Sequence, residues 1–235
     1  MACVNKECCF ESSKNSKRKP SSAQHSCLVF DSVKQVRFSK GDTLFSQGES
    51  SCCVYALNKG VVKLCDVSHS GREQIVSFAT PHGSVVGIRS LSRPVYSVTA
   101  IAETEVEACK IRKRSLLAAM SENPEIGIRL IEALNNQVDM SRALMRVAEH
   151  HGAKSKIAAF LCLLVPQLNG GGYCVEFPFS RSEMAEILSL TEETVCRHMA
   201  ALRREGILFA PRGKIEVQDW DRLQAVADNV APEIA

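Results

Sequence analysis

Two groups of residues in this chain are equipped for chemistry, a Glu/Arg pair late in the sequence and a scatter of cysteines. Glu193 and Arg197 stand four residues apart in the run Thr191-Glu-Glu-Thr-Val-Cys-Arg, which on a helix puts them one turn apart on one face. Such a pair can be an ordinary surface salt bridge. On a helix laid in the major groove of DNA it does more, because arginine bonds bidentately to guanine O6 and N7 and a carboxylate accepts from cytosine N4. Each such contact discriminates between bases by about 1–3 kcal/mol. Glu192, Thr194 and Cys196 flank the pair. The cysteines number eleven. Thiolates ligate iron and zinc, and Cys3, Cys8, Cys9, Cys27 and Cys109 are the candidates for that work. Cys65 and Cys162 stand in apolar runs, where cysteine packs as a small hydrophobe.

The segment that must position Glu193 and Arg197 runs from Ser180 to Leu208. Ser182 and Thr191 are natural N-caps, each followed by carboxylates that favour a helix start. Ala185 is small where two helices would cross, and Met184, Ile187, Leu188, Leu190, Val195, Met199 and Leu202 supply apolar faces. The pattern predicts a helix-turn-helix whose second helix covers about Thr191 to Arg204 and enters the major groove by its first turns. After Gly206, two short strands around a turn at Pro211 to Lys214 predict a wing that touches phosphate through Arg212 and Lys214. Residues 149–235 carry nine Lys/Arg against twelve Asp/Glu, so affinity for a polyanion must come from clustered cations. Arg181, Arg197, Arg203, Arg204, Arg212 and Lys214 are therefore expected to share one face.

Upstream, the pattern changes twice. From Val33 to Ile111 short apolar runs alternate with turn residues, with Gly41, Gly48, Gly60, Gly71 and Gly83 at the turns, as in an antiparallel sandwich or barrel. From Arg114 to His151 two helices fit, with a start at Ser121 to Pro124. In the second, Ile131, Leu134, Val138, Ser141, Met145 and Ala148 recur at spacings of three and four, the seam of a coiled coil. This stripe predicts a homodimer, the alternative being packing on the chain's own β-domain. Residues 152 to 168 read as a further apolar helix ended by Pro166.

The expected organisation is α+β: a flexible cysteine-bearing tail at 1–27, a β-domain at 28–123, a dimerisation helix at 124–151, a winged helix-turn-helix at 152–225 and a tail at 226–235. At 235 residues, 45% hydrophobic and 23% charged, the chain is long enough for two cores. It shows neither an apolar stretch of membrane-spanning length nor a signal peptide, which points to the cytoplasm and to no membrane partner. A reducing compartment argues against a disulfide framework. No nucleophile, base and orienting group fall in a recognisable arrangement, so an enzyme is not expected.

In order and in motif the chain resembles the CRP/FNR family of bacterial transcription regulators, over roughly residues 28 to 222. Leu190-Thr-Glu-Glu-Thr-Val-Cys-Arg lies close to the family's Leu-Thr-x-Glu-Thr-Val-Ser-Arg, and Gly41 to Gly48, Tyr55 to Gly60 and Gly71-Arg-Glu-Gln-Ile fit its β-roll. The resemblance implies a cyclic-nucleotide-binding-like jelly roll and a homodimer on palindromic double-stranded DNA. It also implies Glu193 and Arg197 as base readers in each half-site, and regulation through RNA polymerase, by contact or by blocking. Ser189 departs from the family's usual Gly in the turn, and Cys196 from its usual Ser.

The same resemblance bears on the signal. Cyclic AMP receptors hold ribose and phosphate with Glu and Arg where this chain has Ser84 and Tyr96, which argues against cAMP. Oxygen sensors of the FNR branch hold a 4Fe-4S cluster with three N-terminal cysteines and one from the β-roll, where Cys109 falls. The implied ligands are four of Cys3, Cys8, Cys9, Cys27 and Cys109, although seventeen residues separate Cys9 from Cys27, unlike the closely spaced ligands of that branch. Metal-free thiol sensing, zinc with help from His25, no sensor role for these cysteines at all, a different effector in the β-roll, and haem through His69 or His82, the least supported of these, are the alternatives. A cyclic-nucleotide-type module acting on proteins rather than on DNA is the alternative of another class.

Overall fold

The computed structural model describes residues 33–68, 71, 73–81, 83–169, 174–211 and 213–228. The chain divides into two compact units, up to Val138 and from Asp139 onward. In the first, β1 (Val33–Phe38), β2 (Thr43–Phe45), β3 (Cys53–Lys59), β4 (Val62–Val67), β5 (Glu73–Ala79), β6 (Val85–Val86), β7 (Thr99–Ala102) and β8 (Val106–Arg112) pair antiparallel. They form two four-stranded sheets, ordered β1-β8-β3-β6 and β2-β7-β4-β5.

Side chains alternate between the two faces of a strand, and that alternation sorts the core. Tyr55 and Leu57 of β3 point between the sheets with Phe45, Val62, Ala100 and Val106. Val54 and Ala56 point the other way, where Cys109 and Ile111 of β8 meet α1 (Lys113–Glu122) and the first half of α2 (Pro124–Glu149) through Leu116, Ile126 and Leu130. The glycines expected at turns all have positive φ. At Gly60 the need is also steric, since a Cβ there would run into the Glu105 carbonyl.

Pro124 opens α2, where its missing N–H costs nothing, and the Asn123 carboxamide oxygen accepts from Glu125 N at 3.1 Å. The helix expected as a separate segment is shared by both units. Its seam is not covered by the chain's own β-domain: Ile131 is 58%, Leu134 39%, Val138 44% and Met145 65% exposed, and Ser141 and Ala148 are exposed as well.

The second unit continues with α3 (Ala153–Asn169), β9 (Cys174–Glu176), α4 (Arg181–Leu188), α5 (Glu192–Arg204), β10 (Leu208–Phe209), β11 (Lys214–Val217) and α6 (Trp220–Ala227). Pro166 does not end α3. It sits in the last turn and the helix runs on to Asn169, although a proline there removes the bond its N–H would give to Cys162 O. The expected wing hairpin gains a third strand, β9, beside β11. The last helix reaches Ala227, past the expected boundary at 225, and the Asp219 carboxylate caps its start by accepting from Arg222 N at 2.9 Å. Phe160, Phe177 and Phe179 knit α3 to the β9 side with ring centroids 6.4, 6.2 and 6.1 Å apart. Among the described residues no helix is long and apolar enough to cross a membrane.

Candidate nucleic-acid interface

The two helices of the motif are fixed at their ends by local hydrogen bonds. Ser180, not Ser182, caps α4. Its Oγ accepts from Glu183 N at 3.1 Å while the Glu183 carboxylate accepts from Ser180 N at 2.9 Å, a complete capping box. The Ser-x-x-Glu spacing that signals this starts at residue 180, whereas three residues after Ser182 stands Ala185. Between the helices Ser189 takes φ 53 and ψ 47, the left-handed region that favours glycine, and Leu190 N donates to Ala185 O at 2.8 Å. Thr191 caps α5 as expected, its Oγ1 accepting from Thr194 N at 3.2 Å.

Met184, Ala185, Leu188, Val195, Met199 and Leu202 are buried, so α4 and α5 pack by the expected faces. What remains outward on α5 follows from 100° per residue: Glu193, Arg197 and Arg204 form the stripe opposite Val195 and Leu202, with Cys196 and Arg203 beside it. All five are exposed, as is Glu192. Glu193 and Arg197 are not joined in an ion pair, unlike Lys154, which binds Glu205 at 2.7 Å. Both groups of the pair are therefore available to a ligand. The Lys154–Glu205 bridge, with Arg222 Nη1 donating to Glu205 O at 3.1 Å, fixes the far end of α5; no local pattern announces it, since the partners lie far apart along the chain.

Three expected contact residues stand differently from the rest. Arg181 is half-buried, with Nη1 donating to Met184 Sδ at 3.4 Å, and burial lowers its pKa. It is thus not a free member of an arginine cluster. Thr194 is also half-buried, and its hydroxyl shares a 2.8 Å hydrogen bond with Thr191. Arg203 lies to one side of the stripe of Arg197 and Arg204. Lys214 is exposed on the wing, and Arg212 lies outside the described residues. The shared cationic face is thus narrower than expected.

Behind the stripe, His198 is half-buried. Burial lowers its pKa, and the charges of Arg197 and Lys154 act in the same direction.

Residues 35–123 match the cyclic nucleotide-binding domain family, and residues 155–226 match the Crp-like helix-turn-helix domain family. The nitrogen fixation regulation protein FixK of Bradyrhizobium diazoefficiens is 33% identical over 83% of this chain and 82% of its own length. The chain belongs to the CRP/FNR family of transcription regulators. Another relative, the transcriptional activator protein FnrL of Cereibacter sphaeroides, is 30% identical over 83% of this chain and 81% of its own. The fold agrees with solved structures. FixK2 of Bradyrhizobium japonicum gives a TM-score of 0.72 at 24% identity, covering 87% of this chain and all of that one. A CRP-family regulator of Thermus thermophilus gives 0.70 at 25%, covering 85% of this chain and all of its own. CRP/FNR regulators bind DNA, and the winged helix-turn-helix of residues 153–227 is the part of this member that matches their DNA-binding domain.

Proposed function

We propose that this CRP/FNR regulator binds palindromic double-stranded DNA as a homodimer and acts on transcription through RNA polymerase. Glu193 and Arg197 read bases, Cys196 and Thr194 border them, and Lys214 and Arg212 serve the phosphates, which Arg181 reaches once its guanidinium leaves Met184. The observation that carries this reading is the outward, unbridged Glu193–Arg197 stripe on a helix capped and clamped at both ends. Selection of bound sequences from random DNA should return a palindrome with half-sites about one helical turn apart, and an asymmetric consensus would overturn the symmetric reading.

Dimerisation through Ile131, Leu134, Val138, Ser141, Met145 and Ala148 is supported by their exposure on α2 at coiled-coil spacing. Leu134→Glu with Val138→Glu tests it. Both side chains are already exposed, so the folded chain tolerates the charges, and the variant should sediment as a monomer. Its affinity for the full palindrome should fall on the order of 100-fold, because the second half-site no longer acts intramolecularly. A variant that stays dimeric excludes this seam.

The proposed signal is oxygen or redox state. Support comes from relatives such as the anaerobic regulatory protein of Haemophilus influenzae, 25% identical over 78% of this chain, and from the cysteines. A 4Fe-4S cluster would draw on Cys3, Cys8, Cys9 and Cys27, which lie outside the described residues, as do His25, His69 and His82. Its remaining candidate, Cys109, is 2% exposed in the core beneath α1 and α2, and its Sγ accepts from Asn58 Nδ2 at 3.4 Å. As it stands Cys109 does not fit an accessible cluster ligand. Iron and sulfide analysis after anaerobic purification decides between cluster and metal-free thiols: a colourless, iron-free protein whose DNA affinity still responds to oxidant assigns the response to thiols.

A nucleotide signal has less support. The β-roll cavity bounded by Phe45, Tyr96 and Gln137 measures about 40 Å³, against roughly 300 Å³ or more for pockets that enclose small ligands.

A further inference from the structure

At the start of β3 the sulfurs of Cys52 and Cys53 lie 3.7 Å apart. Adjacent residues of a regular strand send their side chains to opposite faces, so this convergence marks a bend where the strand begins. Cys52 lies just outside β3 and is exposed, while Cys53 is its first residue and is buried. The bend is pinned on both sides. Lys113 N donates to Cys52 O at 2.9 Å, Tyr96 Oη donates to Cys53 O at 2.7 Å, and Cys53 N donates to Tyr96 Oη at 3.3 Å. Burial pushes the Cys53 thiol up and Cys52 adds to this, while the charges of Lys110 and Arg112 favour the thiolate.

Two chemistries suit adjoining thiols, and geometry chooses between them. A disulfide needs sulfurs at about 2.05 Å and Cα atoms usually about 4.4–6.8 Å apart, yet consecutive Cα atoms across a trans peptide are about 3.8 Å apart. Closing the pair directly is therefore strained. A single atom held by both thiolates leaves the sulfurs nearly in place, since at a metal–sulfur length of about 2.3 Å a tetrahedral angle separates two sulfurs by about 3.8 Å. Among the described residues no group of three or more His, Cys, Asp or Glu could hold a metal, so the described residues do not close a four-ligand zinc site around this pair. The centre that fits is one content with two protein sulfurs.

We propose that Cys52 and Cys53 form a vicinal dithiol site for a trivalent arsenical. An organoarsenical oxide and the two thiols give a dithioarsenical chelate and one water. Two As–S bonds form, the As–O bonds break, both thiol protons leave with the oxygen, and no electron changes hands. The site adjoins the β-roll cavity, because the Tyr96 ring that is hydrogen-bonded to Cys53 stacks on Phe45 at 3.9 Å. Capture at the dithiol therefore acts on the aromatic pair that fills the cavity. It is separate from the cysteines proposed for oxygen response, so either reading can fail without the other.

Phenylarsine oxide added to the native full-length protein tests it. The tryptic peptide between Lys40 and Lys59 contains Cys52 and Cys53 and no other cysteine. It should carry a phenylarsenic adduct that survives excess glutathione and is released by dithiothreitol. Cys52→Ser, at an exposed position that leaves the core intact, should lower the retained adduct on the order of 100-fold, because one thiolate no longer holds the other's ligand in place. Cys53→Ser should do the same, while Cys174→Ser should leave the adduct unchanged. Adducts confined to other peptides, an adduct that persists in Cys52→Ser, or a native chain whose pair is already an internal disulfide would each overturn the proposal.

Discussion

The outward face of α5 is built from charged side chains and the cavity of the β-roll largely from aromatic and aliphatic ones, and their polar groups end in opposite states. On α5, Glu193 and Arg197 sit within reach of one another along a helix and yet form no ion pair. Their charges stay in water, ready to be exchanged for contacts with a ligand. In the β-roll the tyrosines beside the cavity have found partners within the chain, whereas Ser90 Oγ on its wall and Asn58 Oδ1 are buried without one among the described residues. The Tyr96 hydroxyl both donates to and accepts from the Cys53 backbone, Tyr55 Oη donates to Leu44 O at 3.1 Å, and Lys110 lies 5.4 Å from the centre of the Tyr55 ring. One surface is held open by caps and a clamp behind it, and the other has closed on itself. The contrast teaches that the outward face of α5 keeps charged groups open to a ligand, while the tyrosines around the cavity use their hydroxyls within the fold.

The largest effect tests whether the cavity is closed by Tyr96. Tyr96→Ala removes a buried ring stacked on Phe45 together with two hydrogen bonds, and should cost about 3–5 kcal/mol. The urea midpoint should fall with an unchanged slope. A loss below about 1 kcal/mol would show that other groups fill the cavity, and the contrast with α5 would weaken.

Next comes the open surface. Arg197→Ala should cost about 1–3 kcal/mol per half-site and flatten the preference at one base pair. Lys214→Ala should instead weaken binding to all sequences alike and reduce the salt slope by about one. Competition binding on variant operators at two salt concentrations separates them. If the two variants behave alike, α5 does not read bases through Arg197.

Much of this was legible in the sequence, for identifiable reasons. The glycine turns, the apolar frame around Val195 and the cap at Thr191 are local features with strong propensities, and they stand where expected. Ser182 was misjudged against Ser180 because the decisive residue was the Glu three positions later. Pro166 does not end its helix, because the residues after it keep their own bonds to the preceding turn and the missing donor removes a single bond. The partial burial of Arg181 against Met184, the Lys154–Glu205 clamp and the convergence of Cys52 with Cys53 depend on packing, which no residue type or spacing announces. Cys109 was expected only to fall within the β-roll, and the face it occupies is set by the register of β8 against β3.

A smaller effect concerns the turn that aims α5. Ser189 holds a left-handed conformation that costs a residue with a Cβ roughly 1 kcal/mol, and glycine adopts it freely. Ser189→Gly should raise the free energy of unfolding by up to about 1 kcal/mol, the gain being trimmed by the greater freedom of glycine in the unfolded chain. DNA preference should not change, because the turn already has the geometry the glycine would take. A shift in consensus would mean that Ser189 does more than connect the helices.

The smallest effect falls on His198, at the border between the two states, half-buried behind an open stripe. Burial, then the charges of Arg197 and Lys154, hold its pKa below the ordinary 6.5. Above 6.5 the imidazole is neutral in both folded and unfolded chains, and it adds no pH dependence. As pH falls through 6.5 the unfolded chain takes up the proton first, so stability is lost progressively until the lower, folded value is passed, and the loss is then constant. Urea midpoints of wild type and His198→Gln should therefore change in parallel above about pH 7 and separate towards about pH 5, with the wild type losing more. Parallel behaviour throughout would place His198 with the solvated groups of α5 rather than with the core that supports them.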